Sequence, residues 1–91
     1  MNQISVEHRV TPAKLDVLGV DDWPIWSKEV SEFDWTYEQM ETCYIIEGSA
    51  EITSADGETV KIGEGDLVVF PKGMTCTWKI TAAVEKHYLL G

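Results

Sequence analysis

The chain has 91 residues, 44% of them hydrophobic, and sixteen acidic against seven basic side chains give it a formal charge of −9. That length makes one domain, able to bury roughly 60% of its unfolded surface without a disulfide or a structural metal. The acidity, unbroken by any basic run, argues against nucleic acid or an anionic membrane as a partner, and no apolar stretch approaches the roughly 20 residues of a membrane-spanning helix.

No basic segment followed by an apolar core opens the chain, so a cytoplasmic protein is expected. Cys43 and Cys76 are too few for a secreted disulfide scaffold, and they lack the C-x-x-C spacing of redox or zinc motifs; two reduced thiols are expected. At the N-terminus Ile4, Val6 and His8 alternate with polar neighbours as in a half-buried strand. Thr11-Pro12 then supplies an N-cap and a first-turn proline for a short helix through Leu18, which Gly19 ends. Trp23-Pro24-Ile25-Trp26 belongs at a sheet edge or in a loop packed by its indoles, because the proline lacks a ladder donor.

From Phe33 onward the pattern is a series of short strands punctuated by turns, which predicts an antiparallel sandwich or barrel. Asp56-Gly57, between Glu51-Ile52-Thr53 and Thr59-Val60-Lys61-Ile62, has the residues of a tight hairpin with positive φ. Gly63-Glu64-Gly65-Asp66 and Pro71-Lys72-Gly73 mark two further turns on either side of Leu67-Val68-Val69-Phe70. Cys76, Trp78 and Ile80 share one face by period-two alternation, presumed by their apolarity to point inward. In a last strand, Val84 to Leu90, Lys86 and Tyr88 face one way and His87 and Leu89 the other, so Lys86 and His87 cannot enter one cavity.

The spacing Glu41-x6-Gly48 followed by Gly65-x5-Pro71-x-Gly73 resembles the two cupin motifs, with these glycines and prolines shaping turns. Phe33-Asp34-Trp35, Glu41 to Gly48, Gly65-Asp66, Phe70-Pro71-Lys72-Gly73, Trp78 and Lys86-His87-Tyr88 further resemble the Cupin_3 or DUF861 family, also labelled the ureidoglycine aminohydrolase cupin domain. The likeness runs from Trp26 to Tyr88 and implies an all-β, antiparallel RmlC-like jelly-roll barrel with a short N-terminal helix, one domain over 1–91 with its motifs near 33–80. It also implies where a cupin's metal ligands would fall. The first-motif histidines map onto Trp35 and Tyr37, the carboxylate onto Glu41, and the second-motif histidine onto Cys76. Three of these four positions have changed, so no metal or other cofactor is expected. Indole offers no lone pair to an ion, and a lone glutamate does not hold manganese or iron.

The remaining chemistry centres on Glu41, which inside a barrel could serve as a general acid or base, or else be paired with Tyr37 or Lys86 to order the strands. The leading expectation is a small-molecule-binding cupin with a pocket built from Trp35, Tyr37, Glu41, Cys76, Trp78 and Lys86. Glu41 and Tyr37 are its candidate catalytic residues, and isomerisation, dehydration or hydrolysis of a ureido or amide compound are the candidate reactions. Two alternatives stand beside it. One is a metalloenzyme with substitute ligands drawn from Glu41, Tyr37, Cys76 and His87; the other is a filled, non-catalytic homodimer with Trp23 and Trp26 across a subunit contact.

Overall fold

In the computed structural model, which describes residues 3–91, the N-terminal segment forms as its punctuation predicts. Strand β1 (Ser5–Glu7) precedes helix α1 (Pro12–Leu18), where the Thr11 hydroxyl accepts from the Lys14 amide and Gly19, at φ 72°, donates to the carbonyls of Leu15 and Asp16. None of the helix's residues is buried, so α1 rides on the barrel without contributing to its core. A 3-10 turn over Val20–Asp22 leads to strand β2 (Ile25–Lys28), which lies at an end of the sheet path as Pro24 requires.

Two long strands carry everything else. Strand β4 (Glu41–Ser54) and strand β7 (Thr75–Leu90) pair antiparallel along their whole length, from Glu41 opposite Leu90 to Ser54 opposite Cys76. Register shifts between Ile45 and Ala50 break this ladder and bend it. On one side of the bend β4 pairs with β6 (Leu67–Phe70), which in turn holds β1, while β7 pairs with β2. On the other side β4 takes β5 (Thr59–Gly63) and β7 takes β3 (Ser31–Thr36). The bent pair thus carries two arrays of short strands, which is the all-β antiparallel cupin architecture with one short helix.

This corrects two expectations. The segments around Cys76–Ile80 and Val84–Leu90 are one strand, because Thr81-Ala82-Ala83 holds no glycine or proline to break it. Gly48, expected to shape a turn, lies inside β4 at the bend with φ 93°. The Asp56-Gly57 hairpin and the turns at Gly65 and Gly73 form as predicted, each glycine at positive φ.

Inside, Ile45, Ile52, Val68, Phe70, Trp78 and Ile80 are almost wholly buried. Phe70 and Trp78 pack tilted at 5.7 Å, and Tyr37 stacks flat on Phe70 at 4.5 Å. Each such aromatic pair adds roughly 0.5–1.5 kcal/mol beyond the area it buries. Tyr37 and Trp78 belong both to this core and to the wall of a cavity that reaches the start of β4 and the end of β7.

Candidate functional site

The period-two alternation of β7 sends Trp78, Lys86, Tyr88 and Leu90 toward one cavity of about 260 Å³. Its other walls come from Trp26 on β2, Phe33 and Trp35 on β3, Tyr37 just beyond β3, and Glu41 at the start of β4. Cross-strand register explains the neighbours: Trp26 lies opposite Lys86, and Phe33 opposite Trp78. Phe33 and Trp78 stack at 6.2 Å with Trp26 edge-on to Trp78 at 6.4 Å, so the cavity is an aromatic box.

At its base lies one ion pair. Lys86 Nζ donates to Glu41 Oε2 at 2.8 Å, and both residues are nearly sequestered, at 6% and 7% exposure. Lys86 faces Ile45 in the ladder, so its long stem runs along the barrel wall toward Glu41. Its ammonium also sits 4.8 Å from the ring centres of both Trp26 and Trp78, each close enough for a cation–π attraction. Among the described residues this is Glu41's one side-chain hydrogen bond, which leaves its second oxygen free to accept from a guest.

Tyr37 is fixed from three directions. Its amide donates to Met74 O at 2.8 Å, its ring stacks on Phe70, and its hydroxyl accepts from Trp78 Nε1–H at 3.0 Å. Burial, reinforced by the nearby Glu41 carboxylate, pushes the phenol well above its ordinary range, so Tyr37 keeps its proton and does not serve as a base. Of the two candidate catalytic residues, then, only Glu41 has the chemistry of a base.

Cys76, expected in the pocket, does not line it. It lies behind the aromatic wall, opposite Trp35 in the ladder and only 2% exposed, so the inward parity was right but the core, not the cavity, receives it. Burial pushes its thiol up to about 11 and that of Cys43 up to about 12, although Lys86 opposes the rise in both. The two cysteines are free thiols. Both start from an ordinary value of 9.0, so the folded state holds these protons longer than the unfolded chain does. Their contribution to stability is therefore intact below pH 9 and lost as the pH rises through 11. Urea titrations should show a plateau below pH 9 and a decline above it, and a thiol reagent at pH 8 should label native protein no faster than the protein unfolds.

The donor set does not fit a cupin metal. At the positions that correspond to ligands, Trp35 has no lone pair, Cys76 is packed in the core, the Tyr37 hydroxyl is taken up by Trp78 Nε1–H, and Glu41's charge is met by an ammonium. His87, the last substitute considered, points away from the cavity and donates from Nδ1 to the Trp23 carbonyl oxygen at 2.9 Å. Among the described residues no group of three or more His, Cys, Asp or Glu side chains is arranged to hold an ion.

Four cavity residues escaped the sequence reading: Trp26, Phe33, Tyr88 and Leu90. Tyr88 and Leu90 share the parity of Lys86, which was signal enough to find them. For Trp26 the sequence suggests loop packing or a subunit contact, and only its register opposite Lys86 brings it to the site.

A crystallographically known DUF861 family protein from Thermotoga maritima is 54% identical to this chain and superposes with a TM-score of 0.95, over 98% of this chain and all of its own. A DUF861 protein from Pseudomonas syringae, 25% identical with a TM-score of 0.67, matches 74% of this chain but only 29% of its own length. Clostridium difficile EutQ superposes with a TM-score of 0.67 at 22% identity, over 98% of this chain and 68% of its own, and that likeness extends to the fold alone. No curated protein matches the chain. None of the described helices is long and apolar enough to cross a membrane. The family profile of the EutQ-like cupin domain aligns with residues 15–88, across both motifs and the strands that build the cavity, and the chain therefore belongs to the Cupin_3 family.

Proposed function

We propose that this cupin binds a small guest whose neutral, planar polar head meets the Glu41–Lys86 pair, and that the pair can move a proton on that head. The observation that carries this reading is a paired carboxylate and ammonium buried at the base of an otherwise aromatic cavity. Such a site carries no net charge. A charged group of either sign would shed its water there without gaining an unopposed counter-charge, whereas a neutral group offering a donor beside an acceptor satisfies both partners. Carboxamides, ureido groups and lactams have that arrangement: the carbonyl accepts from Lys86 Nζ and the N–H donates to the free oxygen of Glu41. The aromatic walls stack the flat remainder. A cavity of about 260 Å³ has the volume of roughly nine waters, which suits a guest of comparable size rather than a polymer.

In chemical terms Glu41 is the proton acceptor, with Lys86 and Tyr37 as donors to a carbonyl oxygen or leaving nitrogen. Isomerisation needs no more than this. Hydrolysis of an amide or ureido compound also takes a water, which gives its proton to Glu41 as its oxygen bonds the carbonyl carbon and the C–N bond breaks, and dehydration expels the guest's own hydroxyl as water. Titrating benzamide and phenylurea while following the indole N–H resonances tests the reading. Saturable shifts should appear at Trp26, Trp35 and Trp78 and not at Trp23, which does not line the cavity. Glu41→Gln, isosteric but uncharged, should weaken binding by about tenfold or more. Absence of any shift in well-folded protein would favour a filled structural barrel instead.

A further inference from the structure

Beside the aromatic cavity lies a second one of about 410 Å³, and the two share Trp35, Tyr37, Glu41 and Leu90 as a common wall. The outer chamber's own lining is polar: Asp34, Thr36, Glu38 and Gln39. Among the described residues that line it there is no lysine, arginine or histidine, so its two carboxylates are not answered from within. Asp34 is held along the edge of β3 by the Thr77 hydroxyl, which donates to it at 2.7 Å. Glu41 borders both chambers, 7% exposed, with its partner Lys86 on the inner side only. Trp35 also borders both and is 52% exposed, so its indole is accessible to a guest.

We infer that the natural guest is an amine-bearing molecule spanning both chambers, with its neutral head on the Glu41–Lys86 pair and its ammonium among Asp34, Glu38 and the Trp35 ring; this rests on the reading of the inner cavity given above. Two arguments fix the polarity. The inner chamber already holds the Lys86 ammonium against Trp26 and Trp78, and a second cation there would repel it. In the outer chamber a cation meets carboxylates and an indole face together, whereas an anion meets carboxylates alone, on a chain whose charge is −9. The substrate class is therefore a small amide, ureido or lactam compound carrying a primary or substituted amine a few bonds away.

A matched pair of probes isolates the outer chamber. Para-(aminomethyl)benzamide and para-(hydroxymethyl)benzamide share the amide head and the ring and differ only in the charge at the far end. At low salt the amine should bind roughly fivefold more tightly, the sum of two exposed charge contacts. That advantage should vanish in the double variant Asp34→Asn/Glu38→Gln, whose sites are exposed and outside the core, and should shrink in about 0.5 M salt. Equal binding of the two probes, or an advantage that survives the double variant, would overturn the outer-chamber assignment and leave the inner site standing. If neither probe moves the indole resonances, both readings fall.

Discussion

Replacing Gly48 by alanine should cost more than about 4 kcal/mol of stability, a large share of the roughly 5–15 kcal/mol that holds a native domain together. The glycine lies where β4 bends, at φ 93°, and an alanine Cβ there would stand 2.1 Å from Ala83 O and 2.7 Å from Ala82 O. Both obstacles are backbone atoms of β7, so no rotamer change relieves them, and moving either strand would disturb the ladder that runs from Glu41 to Ser54. The left-handed backbone adds only about 1–2 kcal/mol for an L-residue. Gly57 provides the internal control, since it has nearly the same φ, 92°, with nothing within 4 Å of the position its Cβ would take. Urea denaturation of Gly57→Ala should therefore show only the smaller loss. Comparable losses in the two variants would mean that conformation, and not the close approach of the two strands, sets the requirement for glycine at the bend.

That bend also marks the limit of what the sequence discloses. The helix cap at Thr11, the Asp56-Gly57 hairpin and the glycines at 65 and 73 were legible because each encodes its geometry within a few residues. Parity along a strand is local too: it put Trp78 on the inward face and set Lys86 and His87 on opposite faces, and the structure turns Lys86 to the cavity and His87 away from it. Gly48 was not legible, because its role depends on contact with Ala83, thirty-five residues later in the chain. The pairing of Glu41 with Lys86 was foreseeable as one option among several, but the register that realises it comes from the bulges between Ile45 and Ala50, which no local pattern announces. Cys76 shows the opposite failure. Its inward direction was read correctly, yet whether an inward residue meets core or cavity depends on which neighbours are large enough to cover it, here Trp78 and Tyr37.

Lys86→Met should destabilise the protein by about 3–5 kcal/mol near neutral pH, although methionine fills a similar volume and suits an aromatic box. The cost arises from what is left behind. Glu41, 7% exposed and with no other side-chain partner among the described residues, becomes a buried charge facing indoles and a phenol. Protonation removes that charge, so the variant should regain stability as the pH is lowered from neutral. The sign follows from linkage, because the folded variant holds this proton more tightly than the unfolded chain and its stability must drop as the pH rises. Removing both partners in Glu41→Leu/Lys86→Met should restore stability to within about 1 kcal/mol of the parent, since a buried pair and an apolar replacement of like volume are close in free energy. The cycle formed by the single and double variants then gives the coupling directly. A Lys86→Met protein as stable as the parent and indifferent to acid would mean that Glu41 reaches water without its lysine, and a carboxylate so solvated would not demand the neutral head inferred for the guest. If instead the double variant is stable but no longer moves its indole resonances with benzamide, the pair is retained for the guest and not for the fold.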